Sequence, residues 1–392
     1  MAVVAIIGAA AFFCALAAAE SPRAPEKISW QLALEPTPGP IGDGKSADDY
    51  TRPPVMTVDA KTGVFVLLQT TDAQRARLAP MGAHIAPDGK IVWRRPLTEL
   101  LGYGVSAARF IGGGRLVIYG EIPQDQRVRA KPDEKFAFGR FVVLSPTGEH
   151  ELTIPMYRAA PSTHVDRPES DDDSYELRLA PSRDNGFVAF GGFGSGPYTW
   201  WLARYDAAGK QLWQQGDGRL LLTQIDDVRQ WMDGRLAVLW VQGALSAQAP
   251  AAAQLRVLNA QGHVAQRYAI SRYKSACYRF AGERVVVGGF KDRIAWFDFT
   301  GRLIRSVAVS ASPCPLDVAP DGSAVWEMHK YADAENGKTL PASVAGIRAG
   351  EKQPRQFALP DVAKLAVLPG GSFIALLHGP KPSRAFVVRR YD

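Results

Sequence analysis

The segment Leu202-Ala-Arg-Tyr-Asp-Ala-Ala-Gly-Lys-Gln-Leu-Trp213 decides the fold of this chain. It reads as a β-strand, a tight turn and a second strand that carries a tryptophan. The side chain of Asp206 can accept hydrogen bonds from the backbone two residues on, and Gly209 can take the positive φ that closes the turn. The segment therefore predicts an antiparallel hairpin.

The same turn recurs along the rest of the chain. Glycines that follow a β-rich strand return at intervals of about 40 to 60 residues, a spacing typical of propellers and other repeat folds. These turn glycines are Gly89, Gly148, Gly209, Gly262, Gly301 and Gly350. A second tight turn lies upstream of each one, and a seventh copy of it is Pro369-Gly-Gly371. Strand, tight turn, strand, longer loop, strand, Asx-type turn and strand make a four-stranded antiparallel blade.

The two ends of the chain set the number of blades. The chain stops at Val388-Arg-Arg-Tyr-Asp392, which matches Arg204-Tyr-Asp206 but lacks the strand that should follow. The segment Lys27-Ile-Ser-Trp30 near the beginning matches that missing strand, Lys210-Gln-Leu-Trp213. An N-terminal strand that completes the last blade closes the ring and leaves no unpaired edge at the closure. We therefore expect an all-β, seven-bladed β-propeller that forms a single domain over residues 20–392.

Two copies of the repeat share the spacing Gly-Lys-x-x-Trp, at Gly89–Trp93 and Gly209–Trp213. This spacing resembles the tryptophan-docking repeat of the pyrroloquinoline-quinone-type propeller superfamily, as a loose repeat from about Lys27 to the end. The residues Leu152, Gln266, Arg305 and Pro354 stand where other copies would have the tryptophan. The quinoprotein enzymes of that superfamily have eight blades and a metal and quinone site, and its non-enzymatic outer-membrane assembly lipoprotein also has eight blades. The resemblance implies architecture and little else, and we expect no cofactor.

The composition fits an ordinary globular protein. The chain has 392 residues, of which 46% are hydrophobic and 22% charged, so it can bury a large core. Its formal net charge of +7 is mild for this size, and its Lys and Arg residues are dispersed. We therefore expect no nucleic-acid partner, since no basic block or nucleic-acid motif is present.

Residues 1–19 differ from the rest of the chain. Ala2 to Ala19 is apolar and uncharged and is followed by Glu20-Ser-Pro22, a pattern that predicts a secretory signal peptide cleaved before Glu20. The protein is then periplasmic or secreted. The alternative is a retained N-terminal membrane anchor, because the segment has no Lys or Arg before its apolar run. Cys14 suggests lipidation, but Phe12-Phe13 places bulky residues where the processing enzyme requires small ones.

Two cysteines remain in a compartment that permits disulfides. Alignment of the turns places Cys277 and Cys314 one position apart on the first strands of blades 5 and 6. First strands line the central channel of a propeller, so we expect a disulfide between adjacent blades near the long-loop end of the channel. Two free buried thiols are the alternative.

Both kinds of tight turn fall on one face of the ring, and the longer connections fall on the other, which we call the long-loop face. Long loops on a rigid scaffold are the usual place for binding residues. The candidate binding residues on this face are Asp48, Asp49, Arg127, Arg129, Asp226, Asp227, Lys274, Lys291, Arg293, His329, Lys330 and His378. The alternative is a set of solvated loops that hold no ligand.

No catalytic or metal-binding motif emerges from the sequence. No two histidines have the i, i+4 spacing of a zinc helix, and Asp171-Asp-Asp173 lacks the shape of a known calcium loop. We therefore expect no metal, and a monomeric, non-catalytic binding or scaffold module that binds another protein or a polar, anionic envelope ligand. Contact with a membrane is expected only if residues 1–19 are retained. The alternative is an enzyme with a polar, metal-assisted site at the channel mouth, acting as a hydrolase, a lyase or a redox subunit.

Overall fold

The computed structural model consists of seven four-stranded antiparallel sheets arranged as a ring, which confirms the predicted seven-bladed propeller. The structure describes residues 27–34, 51–71, 78–101, 104–121, 137–157, 176–193, 199–216, 223–231, 233–242, 252–271, 277–290, 293–309, 313–328, 343–359, 362–379 and 385–392. The first strand of each blade contacts the first strands of its neighbours all the way round the ring, so the seven first strands form the wall of the central channel.

Each of the first three blades is made of four strands in chain order. Blade 1 consists of β2 (Thr51–Asp59), β3 (Gly63–Thr71), β4 (Leu78–Ile85) and β5 (Ile91–Pro96). Blade 2 consists of β6 (Gly104–Phe110), β7 (Leu116–Glu121), β8 (Ala137–Leu144) and β9 (His150–Tyr157). Blade 3 consists of β10 (Glu176–Pro181), β11 (Phe187–Phe193), β12 (Thr199–Tyr205) and β13 (Gln211–Gly216).

The next three blades repeat this order, and the last one borrows a strand from the beginning of the chain. Blade 4 consists of β14 (Thr223–Gln230), β15 (Leu236–Gln242), β16 (Ala252–Leu258) and β17 (Val264–Ser271). Blade 5 consists of β18 (Cys277–Ala281), β19 (Arg284–Phe290), β20 (Arg293–Asp298) and β21 (Leu303–Ala308). Blade 6 consists of β22 (Leu316–Val318), β23 (Ala324–Met328), β24 (Ser343–Ile347) and β25 (Arg355–Phe357). Blade 7 consists of β26 (Val362–Val367), β27 (Phe373–His378), β28 (Phe386–Tyr391) and β1 (Ile28–Leu34).

The closure of the ring reproduces the register of the opening hairpin. In blade 3, Arg204 lies opposite Trp213, and in blade 7, Arg390 lies opposite Trp30. The aromatic pairs one strand further in also correspond, since Phe187 stacks on Tyr205 and Phe373 stacks on Tyr391, with ring centroids 4.8 Å apart in both blades. The sequence match between the two chain ends and residues 204–213 is therefore confirmed as a structural equivalence.

The Asx-type turns form as the sequence predicts. The Oδ1 atom of Asp206 accepts from the backbone N–H groups of Ala208 and Lys210, at 2.9 Å each. Asn259 and Asp298 do the same in blades 4 and 5. The six turn glycines all have φ between 79° and 89°, a conformation that a side chain would strain. In blade 6 the turn is built differently, because Glu351 donates its N–H to the carbonyl of Arg348 and its carboxylate accepts from the N–H of the same residue.

Three tryptophans dock each on the turn of the following blade. The indole N–H of Trp30, Trp93 and Trp213 donates to the backbone carbonyl of the residue two positions before the turn glycine, at 3.1, 3.2 and 2.9 Å. A Cβ added to any of the three glycines would lie within 2.9 Å of the indole ring. Glycine is therefore required at these positions for two reasons: it adopts the positive φ of the turn, and it leaves room for the indole of the docked tryptophan. Because Trp30 docks on blade 1, the same contact seals the junction between the first and last blades.

The apolar core lies between neighbouring blades. Seven separate clusters of buried side chains fill the interfaces, and at the closure Leu34 packs with Val66 and Leu376. Full burial of one such aliphatic side chain stabilises the fold by about 1.5–3 kcal/mol. Each interface therefore depends on the two blades beside it, as expected for a repeat architecture.

Helix is nearly absent from the described residues. The short helix α1 (Thr98–Leu101) follows β5 and packs Leu101 into the interface between blades 1 and 2. Across the described part of the chain, no helix has the length and apolarity that a membrane crossing requires.

Candidate functional site: the central channel and its long-loop mouth

The connections between strands are unequal on the two faces of the ring. On one face the strands are joined by a few residues, such as 60–62 between β2 and β3. On the opposite face the intervals between strands include 35–50, 122–136, 158–175 and 329–342. The strand order therefore supports the predicted division into a tight-turn face and a long-loop face.

Half of the twelve predicted binding residues belong to these longer intervals. Eight of the twelve lie outside the described residues and stay predictions: Asp48, Asp49, Arg127, Arg129, Lys274, Lys291, His329 and Lys330. The acidic run 171–173 also lies outside the described residues.

Two candidates occupy strand ends on the long-loop face. Arg293 begins β20, is exposed, and donates from Nε to the hydroxyl of Ser306 at 3.2 Å. His378 ends β27, is exposed, and lies with its ring centroid 5.0 Å from that of Phe386. These two side chains are available to solvent at the mouth of the ring, and their role in binding stays a prediction.

Asp226 and Asp227 lie within strand β14, inside the channel, rather than in a loop. The Oδ2 atom of Asp226 accepts from the N–H of Tyr278 at 3.2 Å, and that of Asp227 accepts from the N–H of Phe280 at 2.8 Å. A bulge between Ile225 and Asp227 brings both carboxyls to the same neighbouring strand, β18. The two acids therefore join the inner strands of blades 4 and 5.

Two arginines converge on the same point from either side. The Nη1 atom of Arg178, on blade 3, donates to the backbone carbonyl of Asp226 at 2.8 Å. The Nη1 atom of Arg279, on blade 5, donates to that carbonyl at 3.3 Å and to the carbonyl of Tyr278 at 2.8 Å. Three consecutive blades thus meet at one carbonyl oxygen on the channel wall.

A further pair of arginines faces the Asp227 carboxylate. Arg109 on blade 2 interacts electrostatically with Asp227 on blade 4, although blade 3 lies between them in the ring. Arg229 follows Asp227 by two residues on β14 and therefore points to the same side of the strand. Within the described residues, the guanidinium groups of Arg109 and Arg229 make no hydrogen bond. We name Arg109, Arg178, Arg229 and Arg279 the channel arginines.

Burial changes the pKa values of two groups in this cluster, Asp227 and Arg229. It raises the pKa of the Asp227 carboxyl, and the charge of Arg279, the N–H of Phe280 and the charge of Arg109 oppose that rise. Burial also lowers the pKa of Arg229, against the opposing charge of Asp227. Burial therefore disfavours the charged form of each group, and the guanidinium of Arg229 would be stabilised by a further negative charge beside it.

Sequence reasoning missed the channel arginines. A usable signal was present, because Arg109, Arg229 and Arg279 each lie a few residues before the tight turn of their blade. What could not be read from the sequence was which side of each first strand faces the channel. That depends on the bulge and on the twist of each blade.

The predicted disulfide is confirmed. Cys277 is the first residue of β18 and Cys314 lies just before β22, with their Cα atoms 5.9 Å apart. The bond links blades 5 and 6 at the long-loop end of the channel wall. Together with the bonds of Asp226 and Asp227, it fixes the inner strands of blades 4, 5 and 6 to one another.

Among the described residues, no three His, Cys, Asp or Glu side chains group closely enough to hold a metal ion. The polar chemistry that this part of the described channel wall offers is that of guanidinium groups around the carboxylates of Asp226 and Asp227. Such an arrangement binds and orients charged groups.

Comparison with known proteins supports the architecture. No protein-family description matches the chain, and no curated protein matches it. Among solved structures, a chain of the crystal structure of the mitotic checkpoint complex is 13% identical and aligns with a TM-score of 0.50 over 100% of this chain and 99% of that chain. A chain of the crystal structure of BBS1N in complex with ARL6DN is 11% identical, with a TM-score of 0.47 over 94% of this chain and 98% of that one. A protein of unknown function from Bacteroides caccae is 13% identical, with a TM-score of 0.38 over 60% and 78%. At these identities the first similarity shows the fold alone, and the other two add no argument.

Proposed function

We propose that this protein is an exported, non-catalytic binding or scaffold module that engages a protein partner through its long-loop face. The observation that carries the proposal is the unequal distribution of connecting chain. The ring is tightly closed on one face, where intervals such as 60–62 join the strands, whereas intervals such as 122–136 and 158–175 belong to the other face. Connections of this length inside a compact domain are usually functional.

The rigidity of the described channel wall supports this proposal. The inner strands are linked to one another by the disulfide, by the Asp226 and Asp227 carboxylates and by Arg178 and Arg279. A rigid base lowers the ordering cost that a partner must overcome when it binds loops mounted on that base.

We further propose membership in the tryptophan-docking propeller superfamily. The support is geometric: Trp30, Trp93 and Trp213 each place the indole over the turn glycine of the next blade and donate to the carbonyl two residues before it. Under this proposal the chain is a seven-bladed member whose remaining blades use other side chains in place of the tryptophan.

The binding proposal is tested with charge reversals on the two faces. The protein is isolated from its native envelope, where export predicts a mature N-terminus at Glu20 by mass spectrometry. Cross-linked partners are then compared for the wild type, for Arg127→Glu/Arg129→Glu on the long-loop face, and for Lys61→Glu/Lys90→Glu on the tight-turn face. Charges at the rim of an interface control the rate of association. We therefore expect the long-loop variant to recover at least tenfold less cross-linked partner than the wild type, and the tight-turn variant to recover the same amount. Equal recovery from all three proteins would overturn the long-loop proposal, and retention of Met1 would overturn cleavage of the signal peptide in favour of the membrane anchor.

A further inference from the structure

We infer that the channel arginines form a binding site for a small multivalent oxyanion, one that carries phosphate or carboxylate groups. The site lies within the ring, on blades 2 to 5, and is distinct from the loops proposed to hold a protein partner. It would exist whether or not such a partner binds.

The first step of the argument is the supply of hydrogen-bond donors. Arg109 is exposed and Arg229 is partly buried, and neither guanidinium makes a hydrogen bond within the described residues. Each guanidinium presents five N–H donors in a planar fork that matches the oxygens of phosphate and carboxylate groups. Two such forks on the channel wall are therefore available to a ligand.

The second step is the fixed position of the surrounding charge. Arg178 and Arg279 are held by their bonds to the carbonyl of Asp226, so their positive charges stay beside the site without being free to turn outward. Fixed donors and charges favour an anion more than mobile ones, because the cost of ordering them has already been met in folding.

The third step is the balance of charge. The charges of Arg109, Arg229 and Arg279 act on the Asp227 carboxyl. Asp226 is engaged by the N–H of Tyr278 and by Gln224. Arg229 also meets the opposing charge of Glu283 and the like charge of Arg183, so the arginines around these strands outnumber the carboxyls. Glu176, at the long-loop start of β10, is a further carboxyl on these strands by sequence. Burial lowers the pKa of Arg229, so a second anion beside it would restore part of the stabilisation that the guanidinium loses with its water.

A single ionised carboxylate does not satisfy this cluster. Asp227 uses its two oxygens on the N–H groups of Val228 and Phe280. Its charge is therefore anchored to the backbone and acts on Arg109 and Arg229 only through space. The N–H donors of Arg109 and Arg229 are therefore open to the oxygens of a ligand, either a free small anion or an acidic side chain that enters the channel.

The test uses inorganic pyrophosphate as the probe and titration calorimetry on the mature protein at constant ionic strength. We expect saturable binding by the wild type that weakens about tenfold in Arg109→Gln and in Arg229→Gln, since each variant removes charge-assisted hydrogen bonds to the ligand. The matched control is Arg302→Gln, which removes an exposed arginine from an outer turn, where it pairs with Asp298. Its affinity should equal that of the wild type.

Two further arms separate the sources of the anion and guard against misfolded variants. A triglutamate peptide replaces pyrophosphate in one arm, and preference for the peptide identifies an acidic protein segment as the ligand. Asp227→Asn, which removes the competing negative charge, should bind pyrophosphate several-fold more tightly than the wild type. Arg109 makes no hydrogen bond in the described structure, so its variant tests the site even if Arg229→Gln does not fold. Absence of saturable binding of both probes, or equal weakening by Arg302→Gln, would overturn the inference.

Discussion

Ionisation of a carboxyl group favours or opposes folding of this protein according to where the group lies. Asp227 is a channel-wall residue whose burial raises its pKa, whereas Asp298 is an exposed turn residue whose pKa is lowered to about 2, first by the hydroxyl of Thr300 and then by backbone and Arg302 contacts. A raised folded pKa means that ionisation opposes folding, and a lowered one means that ionisation favours it. The two residues therefore provide matched tests of the channel electrostatics.

We expect Asp227→Asn to gain stability relative to the wild type as the pH rises. The charged form of Asp227 is penalised in the folded state, so its cost is absent below the unfolded pKa of 3.8 and is fully present above the folded pKa. The measurement is the difference in free energy of urea unfolding between the variant and the wild type, taken from pH 3.5 to pH 7. This difference should shift in favour of the variant as the pH rises from 3.8.

The matched control is Asp298→Asn, for which the sign reverses. The stability contributed by ionised Asp298 is present above pH 3.8 and is lost as the pH falls through about 2. The free energy of unfolding of this variant should therefore fall furthest below that of the wild type at neutral pH. A difference that is independent of pH for Asp227→Asn would show that its carboxyl is not penalised by burial.

At the scale of one element, the repeated hairpin works through its contact with the next blade. Where the tryptophan is absent, other groups fill the position: Leu152 and Ile154 lie against Gly209, and Arg305 stacks over Trp296 at 4.1 Å from the ring centroid. Trp296 in turn donates its indole N–H to the carbonyl of Gly322 at 3.1 Å. The contact between blades is thus kept although its chemistry changes along the ring.

We expect deletion of residues 27–34 to damage the ring more than loss of one docking tryptophan. The deletion removes β1, exposes the hydrogen-bonding edge of β28 and uncovers the core beside Leu34. An exposed edge strand invites pairing with other chains, so the truncated protein should associate at micromolar concentration by light scattering. The matched variant Trp213→Ala keeps every strand, and it should remain monomeric with a loss of about 1–3 kcal/mol in unfolding free energy. A monomeric truncated protein of near-normal stability would contradict the role of β1 as the closing strand.

At the scale of the whole molecule, two links close the ring and bind its inner wall. The strand pair β1–β28 joins the ends of the chain, and the Cys277–Cys314 bond joins blades 5 and 6 across a sequence separation of 37 residues. Neither link is local in sequence. The disulfide reduces the conformational freedom of the unfolded chain, whereas the strand pair stabilises only the folded ring.

We expect reduction of the disulfide to lower the free energy of unfolding by about 4 kcal/mol, the loop-closure entropy for a loop of this length. Urea unfolding of the native protein and of the Cys277→Ser/Cys314→Ser variant measures the loss. Thiol titration of the denatured, non-reduced mature protein is the accompanying check, and it should find no free thiol once residues 1–19 are removed. Two titratable thiols would rule the bond out.

The sequence by itself determined the architecture of this protein. The recurring turn glycines, the Asp and Asn residues before them and the match between Tyr391-Asp392 and Tyr205-Asp206 fix the blade, its number of copies and the closing strand, because each is a local requirement of backbone conformation. The alignment of turns also brought Cys277 and Cys314 together, since position on a first strand follows from distance to the turn.

Only the tertiary structure decided what lines the channel. Asp226 and Asp227 read as loop acids in the sequence, but a bulge in β14 turns both toward blade 5, where they accept backbone N–H groups. Arg109 and Asp227 lie on blades 2 and 4 and are far apart in the chain, and they interact only because the ring brings their strands round a common axis. Closure of seven blades is a property of the whole chain, so the charge it concentrates at the centre cannot be read from any one repeat.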